Sequence, residues 1–356
     1  MPSTFVAVAP RSAWRCWAML ACAACSHIAL TAPAAQGEDA SSPALDAASK
    51  PAPDSGSDPG MLNLAGDISP VHDPAIIATP SRFYIFSTGE GLPIHQSTDL
   101  VHWTLAGQVF ATKPAWITTT NAADPNILWA PDVSYFGGLY HLYYAASSFG
   151  SQSSCIGHAT TASLETPVWQ DRGSVICSTQ ADDWNAIDPA PVIDQAGAVW
   201  LALGSFWTGL KLIQIDANGN RLGTEITSLA TRANTAVEAA YIIHHGDFYY
   251  LFESVDRCCQ GVNSTYKIMA GRSPDIKGPY VDADGIPLLS TSPNGGDLIV
   301  TSGARWKGPG HNAVLKTVTG DYNIYHAYDG EAAGVPTLRI AKLQWSDDGW
   351  PRSSGP

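Results

Sequence analysis

Five stretches of the chain share one hydrophobic pattern. They are "HDPAIIATPSRFYIFST" from His72, "LWAPDVSYFGGLYHLYYAAS" from Leu128, "AIDPAPVIDQAGAVWLALGS" from Ala186, "AVEAAYIIHHGDFYYLFES" from Ala236 and "GHNAVLKTVTGDYNIYHAYD" from Gly310. Each opens on a short apolar run of Ala, Pro, Val and Ile. A turn that usually contains Gly follows, then a second run rich in Tyr, Phe, Trp and Leu. Short runs bounded by such turns predict strands, and the pairs predict antiparallel hairpins. Further strand-like runs follow each pair, among them "GLPIHQSTDLVHWTLAG", "CIGHATT" with "WQDRGSVIC", and "TYKIMAGRSPDIKGPYV". No helical period of 3.6 residues is sustained across these regions. Roughly 50–75 residues separate successive repeats, enough for one four-stranded sheet each. The pattern predicts an all-β chain, a five-bladed β-propeller whose first strands line a central channel. The repeat lengths drift too much for a WD40-type array.

Two segments lie outside this pattern. Residues 1–36 carry Arg11 and Arg15, then a largely apolar stretch, then the small-residue sequence "TAPAAQ". That layout predicts a secretory signal peptide, too short and interrupted for a membrane span, with cleavage near Ala34 or Ala35. Lipidation at Cys22 or Cys25 is the alternative. Residues 37–60, "GEDASSPALDAASKPAPDSGSDPG", offer almost nothing to bury and read as a flexible linker. The propeller domain is expected over 61–356.

Aligning the five first strands on their small apolar residues places Asp73, Trp129, Asp188, Glu238 and His311 just before them. Asp-Pro, as at Asp73 and Asp188, is ordinary turn chemistry when it stands alone. Structural turns, however, are not expected to bring three carboxylates to one end of a channel. Like charges so crowded are costly, and their pKa values must separate.

Composition narrows the partners, and its many aromatic residues suit either a buried core or a sugar-binding surface. The 32 acidic and 19 basic residues argue against nucleic acid or an anionic membrane as partner. Charged residues make up 14%, below the usual share of about 25%. Aromatic residues are abundant, with 12 tryptophans, and flat rings match the apolar faces of sugars. Beyond the leader the cysteines are Cys155, Cys177, Cys258 and Cys259. A 155–177 bridge between neighbouring strand-like runs is the preferred pairing, leaving Cys258 and Cys259 as either a vicinal disulfide or free thiols. No Cys/His spacing resembles a zinc site.

Two carboxyl groups flanking a bond are what glycoside hydrolysis needs. Glu238, in apolar "TAVEAAYII", suits a protonated general acid. Asp73, beside polar His72, suits the base. Asp188, between them in blade order, would hold the acid in place and keep its pKa high by repulsion. Blades one and four are not neighbours in a ring of five. Their side chains are therefore expected to face across the channel, far enough apart for an inverting mechanism with carboxyl groups roughly 6.5–9.5 Å apart.

The chain resembles glycoside hydrolase family 43, and within it the endo-acting α-1,5-L-arabinanases. The matching stretches include "HDPAII", "STGEGLPIHQSTDLVHW", "LWAPDV", "YYAASSFGSQSS", "AIDPAPV", "GSFWTGLKLIQID", "VEAAYI", "DRCCQGVNSTYKIMAGRSPDIKGPY", "RWKGPGHNAVL" and "LQWSDDGWP". They run from about residue 64 to 351, and the last three are the more specific to arabinanases. The resemblance implies a five-bladed propeller, inversion, and a base, modulator and acid at Asp73, Asp188 and Glu238. It also implies that His311 helps hold a channel metal ion, often calcium, mostly through water. A histidine is an unusual direct partner for an oxygen-seeking cation. Trp129 and Phe149 resemble sugar-stacking positions of the family, and Trp207 is a third candidate, with core packing as the plain alternative. "GGDLIVTSGAR" matches less closely.

Other eye-catching residues carry plain readings. His244–His245 is expected in a solvated hairpin turn, and Asp124-Pro125 falls off register and reads as a turn. Asn263-Ser264-Thr265 is an acceptor only in a host that glycosylates. The expected activity is endo-cleavage of arabinan by a monomer exported to the periplasm or beyond. The enzyme alternative is an exo-acting arabinofuranosidase or β-xylosidase on the same scaffold. Propellers acting on sucrose and fructans usually carry Arg-Asp-Pro where this chain has "AIDPAP". A non-catalytic sugar-binding propeller would need one of the three carboxylates replaced, and a structural one would leave the acidic cluster unexplained.

Overall fold

The computed structural model describes residues 60–118 and 127–356. The leader, all of the linker but Gly60, and Asp124-Pro125 lie outside the described residues. Five antiparallel sheets follow one another along the chain, and each is one blade. Their innermost strands are Ala75–Ala78 in blade I, Trp129–Phe136 in blade II, Ala190–Ile193 in blade III, Val237–His245 in blade IV and Trp306–Thr317 in blade V. Each pairs with the next strand of its own hairpin, and the innermost strands touch in a closed ring around one axis. The protein is a five-bladed β-propeller.

Both faces of every blade are covered by its neighbours, so many strands read as unbroken apolar runs rather than alternating ones. Val199–Leu203 is buried at every position, and Phe248–Val255 at all but its first. Five hydrophobic clusters hold the molecule together, one at each boundary between blades. The blade V–blade I boundary carries Trp103, Ile85, Ile340 and Leu338, all fully buried. That closure is also tied by backbone. Leu62 N–H donates to Ile340 O at 2.9 Å, Val71 N–H to Pro336 O at 3.0 Å, and Ala65–Gly66 joins the outer strand of blade I in parallel.

Cys155 and Cys177 face each other on paired strands of blade II and are disulfide-bonded. Cys258 and Cys259 form a second, vicinal disulfide. His244 and His245 end the long inner strand of blade IV instead of forming a solvated turn. Both are half-buried, and the His245 ring stacks on Trp345 at 3.7 Å.

Candidate active site

The heads of the five inner strands share one backbone feature. Asp73 (φ 51°), Ala130 (φ 44°), Asp188 (φ 55°), Ala239 (φ 55°) and His311 (φ 52°) all lie in the left-handed region. Asp and His tolerate this region better than most residues, and Ala is small. In blades II, IV and V the same place is a β-bulge, where two residues oppose one on the partner strand. In blades I, II and III the next residue is Pro74, Pro131 or Pro189, which has no N–H to leave unpaired at the axis. The equivalent positions are therefore Asp73, Ala130, Asp188, Ala239 and His311. Trp129 and Glu238 stand one residue earlier, an offset that alignment on apolar pattern does not detect.

Asp73, Asp188 and Glu238 are all buried and electrostatically coupled to one another. Their surroundings differ. Asp73 Oδ2 accepts from Thr88 Oγ1 at 2.5 Å and from His72 Nδ1 at 2.8 Å. Its Oδ1 lies 3.2 Å from His311 Nδ1. Thr88 Oγ1 in turn accepts the Ala130 N–H at 2.7 Å. Burial pushes the Asp73 carboxyl upward, but its neighbouring histidines, His72 foremost, outweigh it and hold the group well below the usual carboxylate range. Burial drives His311 and His326 toward their neutral forms, so His72 and the two hydrogen bonds to Oδ2 are the firmer cause. His326 Nδ1 accepts the Asp73 backbone N–H at 3.1 Å, which places its proton on the buried Nε2.

Glu238 has no histidine in hydrogen-bond contact of this kind. Burial pushes it up to about 7 against the pull of one hydrogen bond, from Tyr266 O–H to Oε1 at 2.8 Å. Asp188 is also raised, by burial first and by the Glu238 charge second. Its Oδ2 accepts the Ala239 N–H at 3.0 Å, so it grips the backbone beside Glu238. Burial, rather than repulsion from Asp188, is the main lift on Glu238.

The aromatic candidates surround this centre unevenly. Trp129 and Phe149 of blade II lie 4.8 Å apart, with Phe149 79% exposed. Trp207 is 43% exposed and follows Phe206, 50% exposed, which the sequence reading passed over. Both have positive φ, and Phe206 N–H bonds to Val237 O beside Glu238. Exposed rings held in strained backbone are not core packing.

Below the carboxylates the channel narrows to a cavity of about 10 Å³, room for roughly one water-sized particle. Pro74, Asp132, Asp188, Tyr241, His311 and Asn312 are among its lining residues. Asn312 Oδ1 is buried without a partner, its amide nitrogen being held by Asn323 at 2.9 Å. Burial pushes Asp132 up to about 8, with the Val133 N–H at 2.6 Å as its hydrogen bond. These oxygen donors fit a hard cation. His311 has one ring nitrogen engaged with Asp73, leaving the other for a cation or its water.

Residues 69–351 match glycosyl hydrolases family 43. The chain belongs to that family. It is 41% identical over 287 residues to an extracellular endo-α-(1→5)-L-arabinanase of Bacillus subtilis, covering 79% of this chain and 87% of that protein. It is 37% identical over 300 residues to an extracellular exo-α-(1→5)-L-arabinofuranosidase of Cellvibrio japonicus, covering 79% and 86%. A solved Cellvibrio cellulosa α-L-arabinanase in complex with arabinohexaose superposes with a TM-score of 0.76 at 37% identity, over 80% of this chain and 95% of that one. The family 43 protein described here is thus a glycoside hydrolase.

A buried carboxyl with a raised pKa holds its proton after the unfolded chain has released it, so stability falls as pH rises between the unfolded and folded values. Asp188→Asn removes this penalty and keeps an acceptor for Ala239. Its melting temperature is expected to exceed that of the parent by about 2–4 °C at neutral pH, with the gap closing toward pH 4. A gap of zero at every pH in differential scanning calorimetry would show that Asp188 is not raised.

Proposed function

We propose that this enzyme hydrolyses internal α-1,5-L-arabinofuranosyl bonds of arabinan with inversion, using Asp73 as base and Glu238 as acid. The observation that carries the reading is the opposite preparation of two carboxyls at one channel mouth. Asp73 is held ionised by His72 and Thr88, whereas Glu238 is held protonated by burial. Asp73 accepts a proton from water as the water oxygen bonds to the anomeric carbon. Glu238 gives its proton to the departing glycosidic oxygen as that bond breaks. Asp188 fixes the backbone of Glu238 through Ala239. Trp129 with Phe149, and Trp207 with Phe206, offer rings on which furanose units stack.

Endo-action follows from the stronger likeness to the Bacillus subtilis arabinanase. The Cellvibrio japonicus exo-acting relative keeps a second reading in view, and product size separates the two. Export to the periplasm or medium agrees with the leader-like N-terminus and with these extracellular relatives. Among the described residues no helix is long and apolar enough to cross a membrane.

For the channel we propose a calcium ion held by Asp132 and Asn312, with His311 reaching it directly or through water. When bound, it would supply positive charge beneath the carboxylates and satisfy the stranded oxygen of Asn312. Prolonged chelation is expected to lower both melting temperature and activity, with calcium restoring both. Unchanged melting temperature and activity in metal-free enzyme would remove the ion from the site.

On linear debranched arabinan, short oligosaccharides should appear before arabinose, and ¹H NMR of the first products should show the β-anomer. Glu238→Gln is expected to lower kcat by about 10²–10⁴-fold. Arabinose as the sole early product would make the enzyme exo-acting. A first product of α configuration would rule out inversion, and an active Glu238→Gln variant would rule out this acid.

A further inference from the structure

One loop of blade IV touches Glu238 directly and is linked to Asp73 through Tyr328 and His72. It joins the strands Phe248–Val255 and Lys267–Ser273. Near its end, Tyr266 O–H binds Glu238. Near its start, the sulfurs of Cys258 and Cys259 lie within 4.8 Å of a ring nitrogen of His72. The Cys259 N–H contacts Tyr328 Oη at 2.8 Å, and Tyr328 Oη lies 2.7 Å from His72 Nε2.

Hydrogen-bond chemistry gives these contacts a direction. A backbone amide can only donate, so Tyr328 Oη accepts from Cys259, and the Ser264 side chain also hydrogen-bonds to this hydroxyl. His72 Nδ1 faces the ionised Asp73 carboxylate at 2.8 Å and must carry a proton there. Nε2 of the same ring lies 2.7 Å from the Tyr328 hydroxyl, so the tyrosine holds the far side of the imidazole. Cys259 N–H, Tyr328 Oη and His72 thus form one chain of contacts that ends on Asp73. The partner of one imidazole nitrogen sets which proton the other presents.

We propose that Tyr328 is a positioning residue for the base, acting through His72, and that the Cys258–Cys259 ring is the clamp that holds Tyr328. This rests on Asp73 being the base. The disulfide closes a small covalent ring at an exposed loop, with Cys259 at φ 64°, and so restricts the direction of the amide that Tyr328 needs. His72 and Thr88 both hold Oδ2, and His311 Nδ1 lies 3.2 Å from Oδ1, so the whole carboxylate is fixed in orientation.

The test compares Tyr328→Phe, Cys258→Ser/Cys259→Ser and their combination with the parent on debranched arabinan, with Asp73→Asn alongside. Tyr328→Phe is expected to lower kcat about tenfold or more, with KM within about twofold and melting temperature nearly unchanged. The serine pair should lower kcat in the same direction, and the combined variant should be no worse than Tyr328→Phe, because both act through one hydroxyl. An unchanged kcat in Tyr328→Phe, a loss confined to KM, or fully multiplying losses in the combination would overturn the proposal. If the serine pair does not fold, the kcat of Tyr328→Phe decides alone. An active Asp73→Asn would sink the base assignment itself, whereas an inactive Asp73→Asn with a silent Tyr328→Phe would sink the relay alone.

Discussion

The site depends on a backbone constraint repeated once per blade, a left-handed residue at the head of each inner strand. Such residues cost about 1–3 kcal/mol each and persist where the surroundings over-determine them. Here those surroundings are five interblade cores and a ring of inner strands closed around one axis. The kink gives Asp73, Asp188 and His311 a shared register at the channel mouth. Through the bulge in blade IV it sets Glu238 one residue outside that register. A straight strand would send alternate side chains into the packed blade faces instead.

Convergence alone would give three carboxyl groups that merely raise one another. What separates them is the inventory of donors each strand brings along. Blade I supplies His72 and Thr88 to Asp73, and blade V adds His311, while blade IV surrounds Glu238 with apolar residues and a single tyrosine hydroxyl. Asp188 is spent on a backbone amide. In the proposed hydrolysis, one protonated and one ionised carboxyl are then ready before substrate arrives, which leaves little rearrangement for the chemical step.

Much of this was legible in the amino-acid sequence. Paired apolar and aromatic runs revealed the blades, because a strand buried on both faces is apolar throughout. "HDPAII", "AIDPAP" and "AVEAAY" pointed to the three carboxyl groups that the fold brings together, because a carboxylate at the head of such a run has no structural reason to recur. The one-residue displacement of Trp129 and Glu238 was hidden, since the left-handed backbone position that sets the register falls on Ala130 and Ala239, which look like part of the apolar run. Tyr266, Tyr328 and His326 were hidden for another reason. Each sits in an aromatic-rich strand or beside one and resembles core, and only the fold shows the Tyr266 hydroxyl on Glu238 and the Tyr328 hydroxyl on His72. Asp132, four residues into "LWAPDV", was quoted for its motif yet not assigned to the channel cavity. Phe206 was overshadowed by Trp207 beside it.

The most direct measurement is the protonation state of the two carboxyl groups in the resting enzyme. Carboxyl ¹³C resonances assigned through Asp73→Asn and Glu238→Gln would report it. At about pH 6, Asp73 is expected to be ionised and Glu238 protonated, with Glu238 titrating near 7. A Glu238 resonance that titrates near the ordinary value of about 4.3, or an Asp73 that is still protonated at that pH, would contradict the division of roles on which the proposed hydrolysis rests.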